Sequence, residues 1–211
     1  MKKILLGCLF LLTLVQACRK DNDTISTGLI PTENVKSSLI GRVTDKNGNP
    51  VANALVLLES ANAQKTDAKG RFFYHNQTLN KNGAYIKVEK AGYFTSTRFS
   101  FHQVNGTTVV EVQLIPKKLV SSFNAASGGQ FSFDGGAEVT IPANALALPT
   151  GELYTGTVKA FAVWLDPSKQ RTFDQMPGDL RAIDANGDAK ALTTYGMIGV
   201  ELETYYKEKL H

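Results

Sequence analysis

The stretch that decides the fold runs from Ser38 to Tyr74, SLIGRVTDKNGNPVANALVLLESANAQKTDAKGRFFY. Leu39 and Val43 alternate with Arg42 and Thr44 about Gly41, the period of two that marks a strand with one buried face. Asp45-Lys46-Asn47-Gly48-Asn49-Pro50 supplies the turn that follows. Asn-Gly tolerates positive φ, and Pro50 stands just ahead of the next strand, where its missing N–H spoils no ladder bond. From Ala52 to Leu58 both faces are mostly apolar, as in a strand covered on two sides. Thr66-Asp67-Ala68-Lys69-Gly70 forms a second turn and delivers Phe72 and Phe73 into a third strand.

The pattern continues towards the C-terminus. Ile86 and Val88 alternate with Lys87 and Glu89, and a bend follows at Ala91-Gly92-Tyr93. Val110, Val112 and Leu114 alternate with Glu111 and Gln113 in a further strand that Pro116 stops. No stretch sustains a helical period. Short strands at this spacing make residues 38–117 a β-sandwich. Phe94, Phe99 and Phe101, near the Gly92 bend, are either contacts for a ligand or part of that core.

The order G-x-V-x-D-x-x-G-x-P-x-x-x-A-x-V, then T-D-x-x-G-x-F, then A-G-Y resembles the carboxypeptidase regulatory-like domain. Gly41, Val43, Asp45, Gly48, Pro50, Ala54, Val56, Thr66, Asp67, Gly70, Phe72, Gly92 and Tyr93 stand at the matching positions. The resemblance implies a transthyretin-like sandwich of seven strands. It implies no active site, because in that family the catalytic centre lies in a separate peptidase domain. The same module resembles the one at the N-terminus of many outer-membrane TonB-dependent transporters.

Residues 118–211 read as a second β-rich domain. Ser121 to Ser127 is a polar connector, and Phe131 and Phe133 then share one face between glycine turns. Thr157 to Leu165 is a long apolar strand containing Trp164. The segment 128–146, a Gly-Gly strand followed by Ile141-Pro142-Ala143-Asn144-Ala145-Leu146, resembles the opening of the β-domain shared by netrin receptors and ankyrins, an interaction module. Met197 to Leu202 is the last strand in the pattern, with no further strand signal after it. Either an earlier strand covers its edge, or the chain is a shortened version of something longer.

Ahead of the first module the composition changes. Lys2 and Lys3 precede an apolar run from Ile4 to Val15, the charged and hydrophobic regions of a secretory signal. Twelve residues are too few to cross about 30 Å of hydrocarbon as a helix. Val15-Gln16-Ala17-Cys18 resembles a bacterial lipobox, which makes residues 1–17 a signal peptide and Cys18 the acylated residue. Several acyl chains, at about 0.8 kcal/mol per buried CH₂, hold a protein on a membrane where one chain does so only marginally. Lys20, Asp21 and Asp23 are similar to the Lys-acidic export signal of surface lipoproteins in some Gram-negative phyla; a plain solvated linker is the alternative. Arg19, in second place, leans towards the outer membrane. Residues 18–37 are expected to be the lipidated cysteine and a flexible tether.

Composition narrows the function. Hydrophobic residues at 43% and charged residues at 20% suit a globular protein. Both cysteines, Cys8 and Cys18, fall in the leader region, so the body of the chain holds no disulfide. Without Lys2 and Lys3 there are 21 basic against 19 acidic residues, too balanced to argue for nucleic acid. His75 lacks the partner glutamate of a zinc peptidase, and both internal histidines, His75 and His102, are expected at the surface or at strand ends. Asp184-Ala185-Asn186-Gly187-Asp188 misplaces the glycine of a calcium loop and reads as an Asn-Gly hairpin. No catalytic residue, metal site or cofactor is expected. The chain is expected to be an all-β, non-enzymatic outer-membrane lipoprotein of two tandem sandwiches. Its modules would serve adhesion or binding of protein or glycan. The alternative is a structural spacer or accessory subunit of an outer-membrane complex facing the periplasm.

Overall fold

The computed structural model describes residues 33–58, 61–169, 172–178, 180–204 and 209–210. The expected signal peptide (residues 1–17), the expected lipidation site Cys18 and the candidate export residues Lys20, Asp21 and Asp23 lie outside them. The all-β expectation holds: among the described residues the helical structure is a four-residue turn, α1 (Thr172–Gln175), and a 3₁₀ turn at Asp134–Gly136.

β1 (Asn34–Asp45) is the spine. Val35, Ser37, Leu39, Gly41 and Val43 point inward and alternate with Lys36, Ile40 and Arg42, which face water. It pairs antiparallel with β4 (Arg71–Asn80) on one side and parallel with β7 (Thr107–Leu114) on the other. β2 (Leu55–Leu58), β3 (Gln64–Lys65), β5 (Ala84–Glu89) and β6 (Ser96–Ser100) form the facing sheet in the order β3-β2-β5-β6. Leu39, Val43, Val56, Ile86, Val88 and Val112 meet between the two sheets and are fully buried. The side chain opposite Gly41 explains that glycine. Phe72 is its partner on β4, and a Cβ on Gly41 would lie 1.9 Å from the Phe72 ring.

The chain crosses between these sheets at 46–54 and again at 66–70, and one side chain ties the crossings together. Thr66 is buried; its hydroxyl accepts from the Ala54 N–H at 2.9 Å and donates to the Val51 carbonyl at 2.7 Å. Gly70, at φ +73°, lets its carbonyl accept from the Val43 N–H at 2.7 Å, and a Cβ there would strike the Val43 oxygen. Tyr74 reaches across the core and donates its hydroxyl to the Val56 carbonyl at 2.9 Å.

Three turns share one construction. Asp45 accepts through Oδ1 from the N–H groups of Asn47 and Asn49, Asp67 from those of Lys69 and Arg71, and Asp184 from those of Asn186 and Asp188. These bonds hold all three carboxyls below the usual range, led by the Asn49 amide for Asp45, the Arg71 N–H for Asp67 and the Asp188 N–H for Asp184. The repeated D-x-x-G-x pattern thus encodes a turn capped by its own first side chain.

The remainder is built on β11 (Thr157–Leu165), which pairs antiparallel with β8 (Leu119–Asn124) and β14 (Met197–Thr204). β9 (Gly129–Phe133) and β10 (Ala137–Ile141) form a hairpin over it, and Phe131 packs with Ala160 and Ala162. β12 (Arg181–Ile183) and β13 (Ala189–Ala191) pair with each other across the Asp184 turn.

Several expectations need correction. The stretch 34–37, assigned to the tether, is strand, because Val35 and Ser37 extend the inward register of β1. Ala52–Ala54 is not strand: Asn53 sits at φ +55°, so the extended segment begins at Leu55. Ser121–Asn124 is not connector but β8, since Val120 and Phe123 pack on the β9–β11 core and the backbone pairs with β11. The edge of β14 meets the chain's own last described residues. Lys209 bridges to Glu203, the Leu210 N–H donates to the Leu202 carbonyl, and Leu210 is buried.

Thr66→Val is expected to lose about 1–3 kcal/mol in urea unfolding, because it leaves the Ala54 N–H and Val51 carbonyl buried without partners. Thr66→Ser should retain most of the stability; equal losses in the two variants would assign the effect to shape instead. For the turns, depressed carboxyl pKa values add stability that is fully present above the unfolded value near ~4 and is lost as pH falls through the folded values. The melting temperature should therefore decline below about pH 4. The triple variant Asp45→Asn, Asp67→Asn, Asp184→Asn should melt lower at neutral pH and decline less steeply in acid; an unchanged acid slope would remove these turns as the cause.

Candidate functional site

Two surface features stand out, a charged groove and an aromatic face. The groove lies where β2, β5, the bend at residues 90–95 and the segment after β7 meet β11 and β14. Lys117 is its centre. Its ammonium bonds Glu201 at 2.6 Å and also Glu203, and it lies 5.5 Å from the centre of the Phe161 ring. The three charged side chains are only 10%, 15% and 14% exposed. Glu201 also accepts from the Thr95 N–H at 3.0 Å, while Lys209 bonds the Thr95 hydroxyl at 2.8 Å and pairs with Glu201 at 3.3 Å.

Burial opposes charge on both central groups, yet the pairing outweighs it. Lys117 is raised, because hydrogen bonds and charge from Glu201 and Glu203 exceed its loss of water. Glu201 is lowered, because Lys117, the Thr95 N–H and Lys209 exceed its own. The cluster therefore stays ionised, its contribution failing in acid as Glu201 protonates and in strong base as Lys117 loses its proton. The charged groups of the set pair with one another. It is a clamp: β14 carries both carboxylates, Thr95 stands just before β6, and Lys117 lies between β7 and β8. Arg98 Nη1 donating to the Phe173 carbonyl at 2.8 Å, and Gln175 to Gln113 at 2.6 Å, extend it.

The aromatic face lies on the outer side of the four-stranded sheet. Tyr85 on β5 stands opposite Phe99 on β6, their rings edge to face with centres 5.1 Å apart. Phe101, two residues on, meets Phe99 in the same way at 5.3 Å. Phe99 rests on Gly83, where a Cβ would come within 2.1 Å of the ring. Tyr85 and Phe101 remain 51% and 55% exposed. On the other sheet, Phe73, Ile40 and Val109 stand abreast on the outer face, all three exposed, and Phe73 stacks on His75 at 5.8 Å.

Of the aromatics singled out in the sequence, Phe94 is core, whereas Phe99 and Phe101 face outward. Tyr85 was missed, although its alternation with inward Ala84 and Ile86 is the signal that finds it. His75 is at the surface, but His102 is buried, contrary to expectation. Among the described residues no group of three or more His, Cys, Asp or Glu side chains is placed to hold a metal ion, and no helix is long and apolar enough to cross a membrane. Asp184 spends its Oδ1 on backbone N–H groups, which accounts for the 184–188 segment as a turn.

No family model matches the chain. Over 175 residues, 79% of its length, it is 28% identical to cartilage intermediate layer protein 1 of Mus musculus, and over the same span 27% identical to the Homo sapiens protein. The chain spans only 15% of the length of those relatives. A shorter stretch of 64 residues is 41% identical to cartilage intermediate layer protein 1 of Sus scrofa, covering 30% of this chain and 11% of that one. Among solved structures, a membrane-associated protein of unknown function from Bacteroides fragilis overlaps at TM-score 0.31 and 19% identity, covering 44% of this chain and 33% of that one. The Bacillus anthracis TIE protein overlaps at TM-score 0.33 and 12% identity, over 80% and 45% of the two chains. The chain is distantly similar to a region of the cartilage intermediate layer proteins.

If the groove is a clamp, Lys117→Met should lose about 2–3 kcal/mol in urea unfolding, because two shielded carboxylates lose their partner. Adding Glu201→Gln and Glu203→Gln should restore part of that loss. A triple variant no more stable than Lys117→Met alone would show that the carboxylates' unpaired charge is not what destabilises the single variant.

Proposed function

We propose that the chain is a non-enzymatic lipoprotein, anchored through Cys18 in the outer membrane, whose β-modules bind a protein or glycan outside the lipid. The observation that supports this most directly is the Tyr85–Phe99–Phe101 face. Rings left half in water on a rigid sheet keep their apolar area available at little entropic cost, which suits a contact surface. The charged groove supports the module pair differently, through ion pairs that join Lys117 to β14.

A second reading, a periplasm-facing spacer or accessory subunit, draws on the Lys117–Glu201–Glu203 clamp. A rigid joint between modules is what a spacer requires.

Protease treatment of intact cells expressing the full chain, with a Cys18→Ala control, separates the readings. Digestion without lysis is expected, together with loss of membrane retention in Cys18→Ala. Full-length protein from such cells, applied to glycan and matrix-protein arrays, should lose binding on the order of tenfold or more with Tyr85→Ala plus Phe101→Ala, as truncation of aromatic anchors does elsewhere. Protection of the wild type until the outer membrane is opened, with recovery of one stoichiometric membrane partner, favours the spacer. Unchanged array binding by the double variant overturns the aromatic face as the contact.

A further inference from the structure

The sequence contains four Asn-Gly pairs, at Asn47-Gly48, Asn82-Gly83, Asn105-Gly106 and Asn186-Gly187. A glycine after asparagine leaves the following amide nitrogen unhindered and free to reach unusual backbone angles. That nitrogen can lose its proton to solvent base and bond to the asparagine Cγ. The bond from Cγ to the side-chain amide nitrogen Nδ2 then breaks, and that nitrogen takes up a proton and leaves as ammonia. Water adds to either carbonyl of the resulting five-membered ring, leaving aspartate or isoaspartate. Water is the only co-reactant, and nothing is oxidised or reduced.

Every one of these glycine N–H groups is engaged. Gly48 donates to the Asp45 carbonyl at 3.0 Å, Gly83 to Asn80 at 3.0 Å, Gly106 to Gln103 at 3.1 Å and Gly187 to Asp184 at 3.0 Å. The attacking nitrogen is thus turned towards a carbonyl, away from ring closure. What holds each turn differs. The Asn105 N–H donates to the Lys36 carbonyl on β1, at 2.7 Å. The Asn82 N–H is held by the side-chain oxygen of Asn80, at 2.9 Å. Asn47 and Asn186 instead donate to the carboxylates of Asp45 and Asp184.

The Asp184 turn has the least behind it. The Asp45 turn is flanked by β1 and by the Val51–Thr66 crossing, both rooted in the core. The Asp184 turn joins β12 and β13, three residues each, which pair only with one another among the described strands. Asn186 and Gly187 are exposed, so water reaches them. We propose that Asn186 is a latent deamidation and isoaspartate site, kept closed by the Asp184 carboxylate that fixes the hairpin turn.

The test uses the full chain, incubated folded in mildly alkaline buffer and mapped by peptide mass spectrometry with isoaspartate detection. Wild type, Asp184→Ala and Asp184→Asn are compared with wild type unfolded in urea. Asn186 in Asp184→Ala should convert on the order of tenfold faster than in folded wild type, the factor expected from losing two hydrogen bonds. Asn105 in the same molecules should keep its wild-type rate. Asp184→Asn retains an acceptor oxygen but loses the charge that strengthens both bonds, and should fall between wild type and Asp184→Ala. Equal Asn186 rates in wild type and Asp184→Ala overturn the proposal, as does a folded wild type that converts at the unfolded rate. Uniform acceleration at all four sites also overturns it, since the carboxylate would then act on the whole fold and not on its turn.

Discussion

The first sandwich depends on the buried Thr66 hydroxyl. The chain passes from one sheet to the other four times, and at two of these passages, 46–54 and 66–70, the backbone has left one ladder without entering the next. Those stranded groups need partners inside the protein. Thr66 supplies two at once, accepting from Ala54 and donating to Val51, while the Gly70 carbonyl binds Val43 beside it. A valine of the same shape would fill the space and leave the amides unpaired. The sheets are held face to face by the apolar side chains of β1, β2, β5 and β7, but the register in which they meet is set at this bracket.

The joint to the later strands follows another logic. Where an apolar interface would tolerate sliding, Lys117 and its two glutamates specify one arrangement through directional bonds. Thr95 reinforces it by offering a backbone N–H to Glu201 and a hydroxyl to Lys209. Shielded ion pairs are modest contributors to net stability but strict about geometry. Such a joint trades strength for definition.

How much of this was legible in the sequence varies with range. The alternations at Leu39–Val43, Ile86–Val88 and Val110–Leu114, and the turns at Asp45 and Asp67, are local signals, and each produced the element it suggested. β8 was hidden because Ser121 and Ser122 made it look polar, and its identity as strand comes from pairing with β11, far along the chain. The first residues of β1 were hidden because Ser37 is a polar residue in an inward position, its hydroxyl turned to the Gly106 carbonyl. Alternation gives the outward position of Tyr85, but neither surface feature could be read as an assembly from spacing. Tyr85 and Phe99 meet only through β5–β6 register, and Lys117 meets Glu201 and Glu203 only once β14 folds back. The aspartate caps, by contrast, were fully encoded in D-x-x-G-x and simply unread as a repeated device.

The parallel pairing of β1 with β7 places the first and last strands of the sandwich side by side and pointing the same way. A force applied between the N-terminal end of β1 and the C-terminal end of β7 therefore pulls the two strands lengthwise past each other. Every hydrogen bond between Ser38 and Asp45 and their β7 partners is loaded together, whereas an antiparallel pair loaded at one end would open bond by bond. The module is built to carry tension along its own axis, and its lifetime under load is governed by the rate at which that whole ladder fails at once.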